Sequence, residues 1–136
     1  MTHNSTLPHD GPARKEYPLF QGCLMYFPAA LAGVAKMSLA GNAQHHPEAR
    51  LHHDRTKSTD HGDCIMRHLM DLGDCLAALD RCAAPETAEL VDRALKEASA
   101  VAWRALALSQ ELHEAFGGAP VAPNARTPTW SIDADQ

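Results

Sequence analysis

The chain has 136 residues, of which 45% are hydrophobic and 21% charged, a composition that predicts one globular domain. Its formal net charge is −5 with histidine neutral, whereas nucleic-acid-binding domains usually carry a basic surface. We therefore expect no nucleic-acid partner. No apolar stretch is long enough to span a bilayer, so we expect no membrane partner either.

The chain contains four cysteines, and no two of them form the Cys-x-x-Cys pair of a structural zinc site: Cys23, Cys64, Cys75 and Cys82. The N-terminus is polar and lacks the apolar run of a secretory signal. These features predict free, buried thiols in a reducing compartment, which we expect to be the cytoplasm.

The first part of the chain divides into an arm, an aromatic segment and a helix. Residues 1–16 are polar and without apolar period, so they predict a flexible arm. From Tyr17 to Phe27 large side chains are dense, and this segment is expected to pack over the core. A helix is predicted to begin at Pro28, which suits a first helical position, and to end at Gly41.

A connection with no helical period follows over residues 44–57, with the sequence QHHPEARLHHDRTK. The chain has nine histidines, and six of them lie between His45 and His68. Long connections in compact domains are often functional. The histidine cluster fits a hydrated loop, or a site that binds metal or phosphate.

The second helix is predicted to begin at Ser58 or Thr59, because either hydroxyl can cap a helix N-terminus. It should extend to about Asp71. Gly73 then ends or kinks it, and a helical continuation to Cys82 is also compatible with the pattern.

The third helix is the clearest element and is predicted from Glu86 or Thr87 to about Phe116. An apolar stripe at helical spacing supports it: Leu90, Ala94, Ala98, Val101, Ala102, Ala105, Leu108 and Leu112. A glycine pair ends it, and residues 119–136 predict an extended tail. The expected fold class is therefore all-α, a compact helical bundle in which one helical domain spans residues 17–118.

Three groups of residues can carry chemistry, and the first lies on the second helix. At helical spacing these side chains fall within roughly 80° of one another: Asp60, Asp63, Arg67 and Asp71. His61 and His68 lie to one side of them. A polar stripe of this kind is also what any surface helix shows, and on this helix alone we favour that plainer interpretation.

The second group centres on Glu97, which interrupts the apolar stripe of the third helix. A lone carboxylate there is costly unless it is paired with Arg67 or Arg104 or bound to a metal ion. We favour the metal, because facing helices build carboxylate metal sites in bundles. Together with Asp60 and Asp63, Glu97 would hold Mg²⁺ or Mn²⁺, and substrate phosphates would complete the coordination.

The third group is the basic connection that ends at Lys57, since cations ahead of a helix N-terminus suit an anion. With a carboxylate-bound metal it provides what is needed to cut a phosphoanhydride. A solvated loop is an equally good interpretation for His52 and His53. His53-Asp54 resembles the doublet of HD phosphohydrolases, which leaves an HD-type dNTP triphosphohydrolase as an alternative. A non-catalytic helical module that binds nucleotides or assembles is another.

Five motifs stand out between residues 17 and 112: Tyr17-Pro-Leu-Phe-x-Gly, Tyr26-Phe-Pro-x-Ala-Leu, Gly41-Asn-x-Gln-His, Lys57-Ser-Thr-Asp-His and Val101-Ala-Trp-Arg-Ala-Leu-Ala-Leu. Together they resemble the phage dATP/dGTP diphosphohydrolase family, which is related to the all-α, MazG-type NTP pyrophosphohydrolases. The block that begins at Lys57 is the most specific of the five.

The resemblance implies an oligomeric helical enzyme, a dimer or tetramer, that uses Mg²⁺ or Mn²⁺ to release pyrophosphate from a purine (d)NTP. The chain is also similar to the MazZ-like branch of phages that replace adenine with 2-aminoadenine, which favours dGTP and GTP. Such an enzyme would serve phage nucleotide metabolism in the host cytoplasm. MazG-type enzymes carry a Glu-x-x-Glu pair on one helix, but the first helix here has Lys36 and no acid.

The site expected on this basis has three parts, and a metal-activated water would attack the α-phosphorus. The expected metal ligands are Asp60, Asp63 and Glu97. The groups expected to act on the phosphates are Lys57, Arg67 and His61. The residues expected to bind substrate are Asn42, His45, His68 and Trp103, with the base in an apolar pocket closed by Phe20, Tyr26 and Trp103.

Overall fold

The structure, a computed structural model, describes residues 5–57, 59–81 and 84–125. Within these ranges the chain is all-helical and contains no strand, which confirms the predicted fold class. Its α-helices are α1 (Gly11–Arg14), α2 (Pro28–His45), α3 (His61–Leu79) and α4 (Thr87–Phe116). A π-helical turn spans Phe20–Leu24, and 3₁₀ turns span Ala84–Glu86 and Pro123–Ala125.

The helix α4 is central, because both α2 and α3 pack against it and α3 makes the larger contact. Near the start of α3, His61 lies against Glu111 of α4. Further along α3, His68 lies against Glu97. Rising residue numbers on α3 thus meet falling numbers on α4, so the two helices are antiparallel.

The helix α2 runs parallel to α4, since Gly33 faces Ser99 and Ser38 accepts a hydrogen bond from Trp103. The approach is close at Gly33, where a Cβ atom would lie 2.6 Å from the Ser99 hydroxyl oxygen. The C-terminus of α2, the N-terminus of α3 and the C-terminal half of α4 therefore meet at one end of the bundle.

The core between these helices is small. Its buried apolar residues within the described ranges are Cys64, Cys75, Ala100 and Ala107. The apolar stripe predicted on α4 is displaced, because Ala98, Ala105 and Leu112 are exposed. The face that meets α3 instead carries the small residues Ala100 and Ala107, which allow the helices to approach closely.

The aromatic segment before α2 does not pack over the core as predicted. Phe20 and Tyr26 are 63% and 71% exposed, and Tyr17 and Phe27 are also exposed. The large side chains follow one another without a helical period, so a single π-helical turn cannot direct all of them inward.

Two predicted helix boundaries are wrong: the end of α2 and the beginning of α3. The helix α2 begins at Pro28 as predicted but continues past Gly41 to His45. A terminating glycine normally takes a left-handed conformation, and among the described glycines only Gly118 has a positive φ. Gly41 is therefore an ordinary helical residue.

The helix α3 begins at His61 rather than beside Thr59, with Asp60 as the N-cap residue; Ser58 lies outside the described residues. It continues through Gly73 to Leu79, in line with the helical continuation that the sequence left open. A glycine costs a helix about 1 kcal/mol, and the burial of Cys75 against α4 on the following turn offsets that cost. The helix α4 matches its predicted bounds.

The end of α4 turns sharply at Gly118, whose φ of 74° suits glycine. The carbonyl of His113 accepts hydrogen bonds from the amides of Gly117 and Ala119, at 2.9 and 3.1 Å. The tail then folds back, because the Ala122 amide donates to Glu114. The predicted extended tail thus starts as a return over α4, and residues 126–136, including Trp130, lie outside the described part.

The arm contains a helical turn, α1, capped by Asp10, whose carboxylate accepts the Ala13 amide at 2.9 Å. Residues 1–4 lie outside the described part. Of the thiols predicted to be buried, Cys64 and Cys75 are, Cys23 is half-buried, and Cys82 is outside the description. None of the described helices has the length and hydropathy of a transmembrane segment.

Candidate functional site

A cavity of about 440 Å³ opens where α2 ends and the connection before α3 crosses α4. The helices contribute Ser38, Asn42, His45, His68, Trp103 and Arg104 to its lining. The connection contributes His46, His52, His53, Asp54 and Lys57. The cavity is therefore rich in histidine and cationic groups and has one large aromatic side chain.

Several residues predicted from the sequence converge on this cavity. The four expected to bind substrate and one of the three expected to act on the phosphates all line it: Asn42, His45, His68, Trp103 and Lys57. They come from three helices and the connection, and nothing in their spacing along the chain requires them to meet. Phe20 and Tyr26 do not line the cavity, so the base pocket expected from them is not formed within one chain.

Three side chains contact the indole of Trp103. Its Nε1–H donates to the Ser38 hydroxyl at 2.7 Å. The His53 ring meets it edge-on, with ring centroids 4.8 Å apart. The guanidinium carbon of Arg104 lies 5.3 Å from the indole centroid. One wall of the cavity thus combines an aromatic surface with a cation.

The connection is anchored to α4 by an ion pair between Arg55 and Glu114. The two guanidinium nitrogens Nη1 and Nη2 donate to the two carboxylate oxygens, the second at 2.8 Å. These hydrogen bonds from Arg55 lower the pKa of Glu114 to about 2. The same carboxylate accepts the Ala122 amide, and the His53 amide donates to the Asn124 carbonyl at 2.7 Å. The connection and the tail are therefore bound to the same end of α4.

Asn42 organises the beginning of the connection. Its side-chain amide donates to the Ala49 carbonyl at 3.0 Å, and its side-chain oxygen accepts the His52 amide at 3.4 Å. Its backbone carbonyl accepts the His46 amide at 2.7 Å. Asn42 lines the cavity, and its hydrogen bonds make it a residue that shapes the loop, whereas a role in substrate binding was predicted for it.

His61 lies beneath the cavity and not in its lining, and its side chain is 4% exposed. Its Nε2 is 2.8 Å from a carboxylate oxygen of Glu111, and Arg104 donates to its Nδ1 at 3.4 Å. Because arginine can only donate, we assign the ring proton to Nε2. This arrangement suits a residue that positions Arg104, whereas a catalytic role was predicted for His61.

Arg67, the third residue expected to act on the phosphates, lies outside the lining. It is exposed and donates to the Asp60 carboxylate at 2.7 Å. This pair lies along one face of α3, close to its first turn. An exposed pair of this kind contributes little to stability.

The structure does not bring the three predicted metal ligands together. Asp60 and Asp63 flank His61, which lies against Glu111. The ligand atoms close to Glu97 are those of His68 and Asp71. His68 lies five residues beyond Asp63 and eight beyond Asp60, or roughly 7.5 and 12 Å of helix rise. The antiparallel register of α3 on α4 therefore separates the two aspartates from Glu97.

Glu97 instead belongs to a different group of potential ligands. Its Oε2 is 2.7 Å from Nδ1 of His68, a partner different from the arginines considered above. Ligand atoms of His68, Asp71 and Glu97 all lie within 4.8 Å of one another. Asp71 was placed on the polar stripe of the second helix but not among the metal ligands, and the register between the helices was the missing information.

A second group of potential ligands lies in the connection, where the sequence left a metal or phosphate site open without indicating its ligands. Ligand atoms of His46, His52 and Asp54 are within 4.8 Å of one another. The spacing of His46, His52 and Asp54, written His-x₅-His-x-Asp, follows shortly after Asn42 and is the sequence signal that could have indicated this group. For His52, a place in a solvated loop was regarded as just as good an interpretation as a role in binding.

The charge state of the connection follows from its neighbours. Burial and the nearby Arg55 guanidinium lower the pKa of His53, so that this ring is neutral at pH 7. Hydrogen bonds from the Thr56 hydroxyl and amide lower the pKa of Asp54, so that this carboxylate stays ionised. The cavity therefore offers a neutral imidazole, an indole and the cations of Lys57 and Arg104.

Such a lining suits a ligand that has both an aromatic ring and negative charge. A volume of about 440 Å³ lies within the range of small-molecule sites. Comparison of the sequence with known protein families and with curated proteins, and of the fold with solved structures, found no match.

Proposed function

We propose that this chain is a metal-dependent pyrophosphohydrolase that converts a purine (d)NTP, with dGTP and GTP favoured, to the (d)NMP and pyrophosphate. The observation that carries the proposal is the convergence on one cavity of residues expected from the family resemblance: Asn42, His45, Lys57, His68 and Trp103. Because these residues are distant along the chain, a resemblance without functional meaning would not require them to meet.

The cavity supports binding of both halves of a nucleotide. The immobilised indole of Trp103 gives a purine a surface on which to stack, and such stacking contributes about 1–3 kcal/mol per base. Arg104 lies beside that ring, and Lys57 lies elsewhere in the lining. Cationic side chains bind phosphate oxygens through charge-assisted hydrogen bonds. In the proposal the base contacts Trp103 while the phosphates contact Arg104 and Lys57.

The group formed by His68, Asp71 and Glu97 fits the required metal, and His68 is the member that also lines the cavity. Two carboxylates and one imidazole suit Mn²⁺ well, and Mg²⁺ accepts the carboxylates together with phosphate oxygens. Glu97 keeps its predicted role, while Asp71 and His68 replace Asp60 and Asp63. When bound, the ion neutralises phosphate charge and lowers the pKa of a bound water.

The side chains themselves carry the remaining steps. Lys57 and Arg104 stabilise the negative charge that develops on the phosphates. His53 lines the cavity and is neutral because burial lowers its pKa, so it is suited to accept a proton from the attacking water. The pair of His61 and Glu111 holds Arg104 in position from below.

The proposal includes a homo-oligomer, because a single chain leaves many large apolar side chains in water. Within the short segment Tyr17–Phe27, five large apolar side chains are more than half exposed: Leu19, Phe20, Met25, Tyr26 and Phe27. Exposed apolar surface of this kind marks protein interfaces. A second copy would cover part of it and could bring the aromatic segment Tyr17–Phe27 close to a partner's cavity.

Product analysis tests the proposed reaction. Purified protein with Mn²⁺ is incubated with each (d)NTP, and the products are separated by anion-exchange chromatography. Monophosphate and pyrophosphate, formed fastest from guanine nucleotides and lost in Glu97→Gln, are expected. Nucleoside and triphosphate would indicate HD-type chemistry at His53-Asp54 instead, and no turnover would favour a non-catalytic module. Lys96→Ala, at an exposed pair with Asp92 on α4, is the matched control.

A further inference from the structure

The connection after α2 carries a second cluster, which the proposed reaction does not use. One ligand atom from each of His46, His52 and Asp54 lies within 4.8 Å of the others. All three side chains are half-buried and line the cavity. Such proximity alone is common on protein surfaces, so the orientation of each side chain decides what the cluster can do.

His52 is oriented as a metal ligand. Its Nδ1 lies 2.8 Å from the backbone carbonyl oxygen of Arg50, and a carbonyl can only accept, so Nδ1 carries the proton. The lone pair is then on Nε2. Metal-bound histidines almost always donate their other ring N–H to a carbonyl or carboxylate in this way.

The carboxylate of Asp54 is also oriented as a metal ligand. One oxygen, Oδ1, accepts hydrogen bonds from the Thr56 amide at 2.9 Å and the Thr56 hydroxyl at 2.6 Å. The other oxygen, Oδ2, faces His46. Thr56 thus fixes the carboxylate through Oδ1 and leaves Oδ2 facing the cluster.

His46 completes the group through its Nε2, which lies 3.0 Å from Oδ2 of Asp54. This is the carboxylate oxygen that does not accept a hydrogen bond from Thr56. The ring of His46 also lies beside that of His52, with ring centroids 5.0 Å apart. His46 is therefore next to both other members of the cluster.

Asn42 organises the loop before any ion binds. It accepts the His46 amide with its carbonyl and the His52 amide with its side chain, and it donates to Ala49. Both histidines are therefore held by one residue of α2. A loop ordered in this way loses less entropy when its side chains coordinate an ion.

We propose that His46, His52 and Asp54 form a transition-metal site that prefers Zn²⁺ and leaves one coordination position open to the cavity. Two imidazoles and one carboxylate, with an open position, are the ligand set of catalytic zinc sites. Imidazole also favours zinc over magnesium. The site is separate from the carboxylate-rich group around Glu97, and it does not depend on the proposed hydrolase activity.

Zinc binding to the metal-free, full-length chain tests the site without any nucleotide. The group around Glu97 should also bind Zn²⁺, so the calorimetric titration is made in the Glu97→Gln variant. It should give one Zn²⁺ per chain, and this binding should be lost when His46→Ala, His52→Ala or Asp54→Asn is added. His45→Ala, at the neighbouring exposed histidine, should retain it. Asn42→Ala should keep the stoichiometry and weaken the affinity by about 10- to 100-fold, as loss of an outer-shell partner does.

Cobalt substitution identifies the ligands by a second measurement. Co²⁺ should give visible absorption bands of a four- or five-coordinate N/O site, and no thiolate charge-transfer band in the near ultraviolet. A thiolate band, or unchanged zinc affinity in the three ligand variants, would overturn the proposal. Helical circular dichroism of each variant shows that lost binding is not lost folding, and phosphate added to the Co²⁺ form should shift its bands if the open position faces the cavity.

Discussion

The two ends of this small bundle differ in which side chains find partners within the chain. At the cavity end, polar groups are paired within the chain: Arg55 with Glu114, His61 with Glu111, His68 with Glu97 and Trp103 with Ser38. In the segment Tyr17–Phe27, large apolar side chains remain in contact with water. One chain thus builds its own polar site but leaves its apolar surface uncovered.

This contrast has a simple physical origin. Hydrogen bonds and ion pairs are directional and can be completed by single residues on a loop, as Asn42 and Arg55 do. Burial of apolar area needs an extended opposing surface, which the alanine-rich core between α3 and α4 does not offer.

The largest effect is expected at the cavity end, from Lys57→Ala. Removal of one group that stabilises developing phosphate charge should lower kcat by about 10²- to 10³-fold. Lys57 is exposed at the edge of the cavity, so folding should be preserved. Steady-state kinetics with Mn²⁺ and dGTP measure the effect, and Lys96→Ala is the control. Wild-type kcat in Lys57→Ala would remove Lys57 from the mechanism.

The next effect concerns the anchor of the connection. Glu114→Gln replaces a charge-assisted pair with Arg55 and should lower the free energy of unfolding by about 2 kcal/mol. The pKa of Glu114 is lowered from 4.5 to about 2, so the stabilisation is present above pH 4.5 and is lost as the pH falls from 4.5 towards 2. Urea titrations at several pH values should show a weaker acid dependence in the variant. Equal acid slopes in both proteins would contradict the pairing.

A smaller effect is expected from Trp103→Phe. The ring is kept, but the hydrogen bond to Ser38 is lost, which should cost about 1 kcal/mol of stability. Substrate affinity should fall several-fold, because the ring is no longer held in one orientation. Thermal unfolding and KM for dGTP measure the two effects, and Ser38→Ala should reproduce both. An unchanged KM in both variants would place the base away from Trp103.

The smallest effect on stability is expected in the aromatic segment. Phe20→Asp and Tyr26→Asp change exposed side chains and should alter the free energy of unfolding of one chain by no more than about 0.5 kcal/mol. They should nevertheless shift the assembly towards monomer, as measured by light scattering after size-exclusion chromatography. Lys15→Asp, just before the segment, is the control. A wild-type protein that is monomeric at high concentration would refute the predicted oligomer.

The sequence was most informative where a signal is local. The period of α4 and the proline at the start of α2 gave correct positions, because both act within a few residues. The end of α2 was misplaced because Gly41 is compatible with a helix and with its termination. Whether Tyr26 is buried depends on what lies opposite it, which no local pattern contains.

The site was predicted in composition but not in grouping. Glu97 was identified from its position in an apolar stripe, Lys57 from its place in a basic connection ahead of a helix, and Trp103 from the family resemblance. Which acid lies near Glu97 depends on the antiparallel register of α3, which brings His68 and Asp71 to it and leaves Asp60 near Glu111. The histidine-rich spacing allowed a metal site in the connection, but the grouping of His46, His52 and Asp54 depends on hydrogen bonds that close the loop.

A crystal structure with Mn²⁺ and a dGTP analogue that cannot be cleaved between the α- and β-phosphates tests the central claim most directly. We predict anomalous density for manganese among His68, Asp71 and Glu97, the guanine against Trp103, and phosphate oxygens near Lys57 and Arg104. Manganese at Asp60 and Asp63, or a nucleotide bound outside this cavity, would contradict the proposed site.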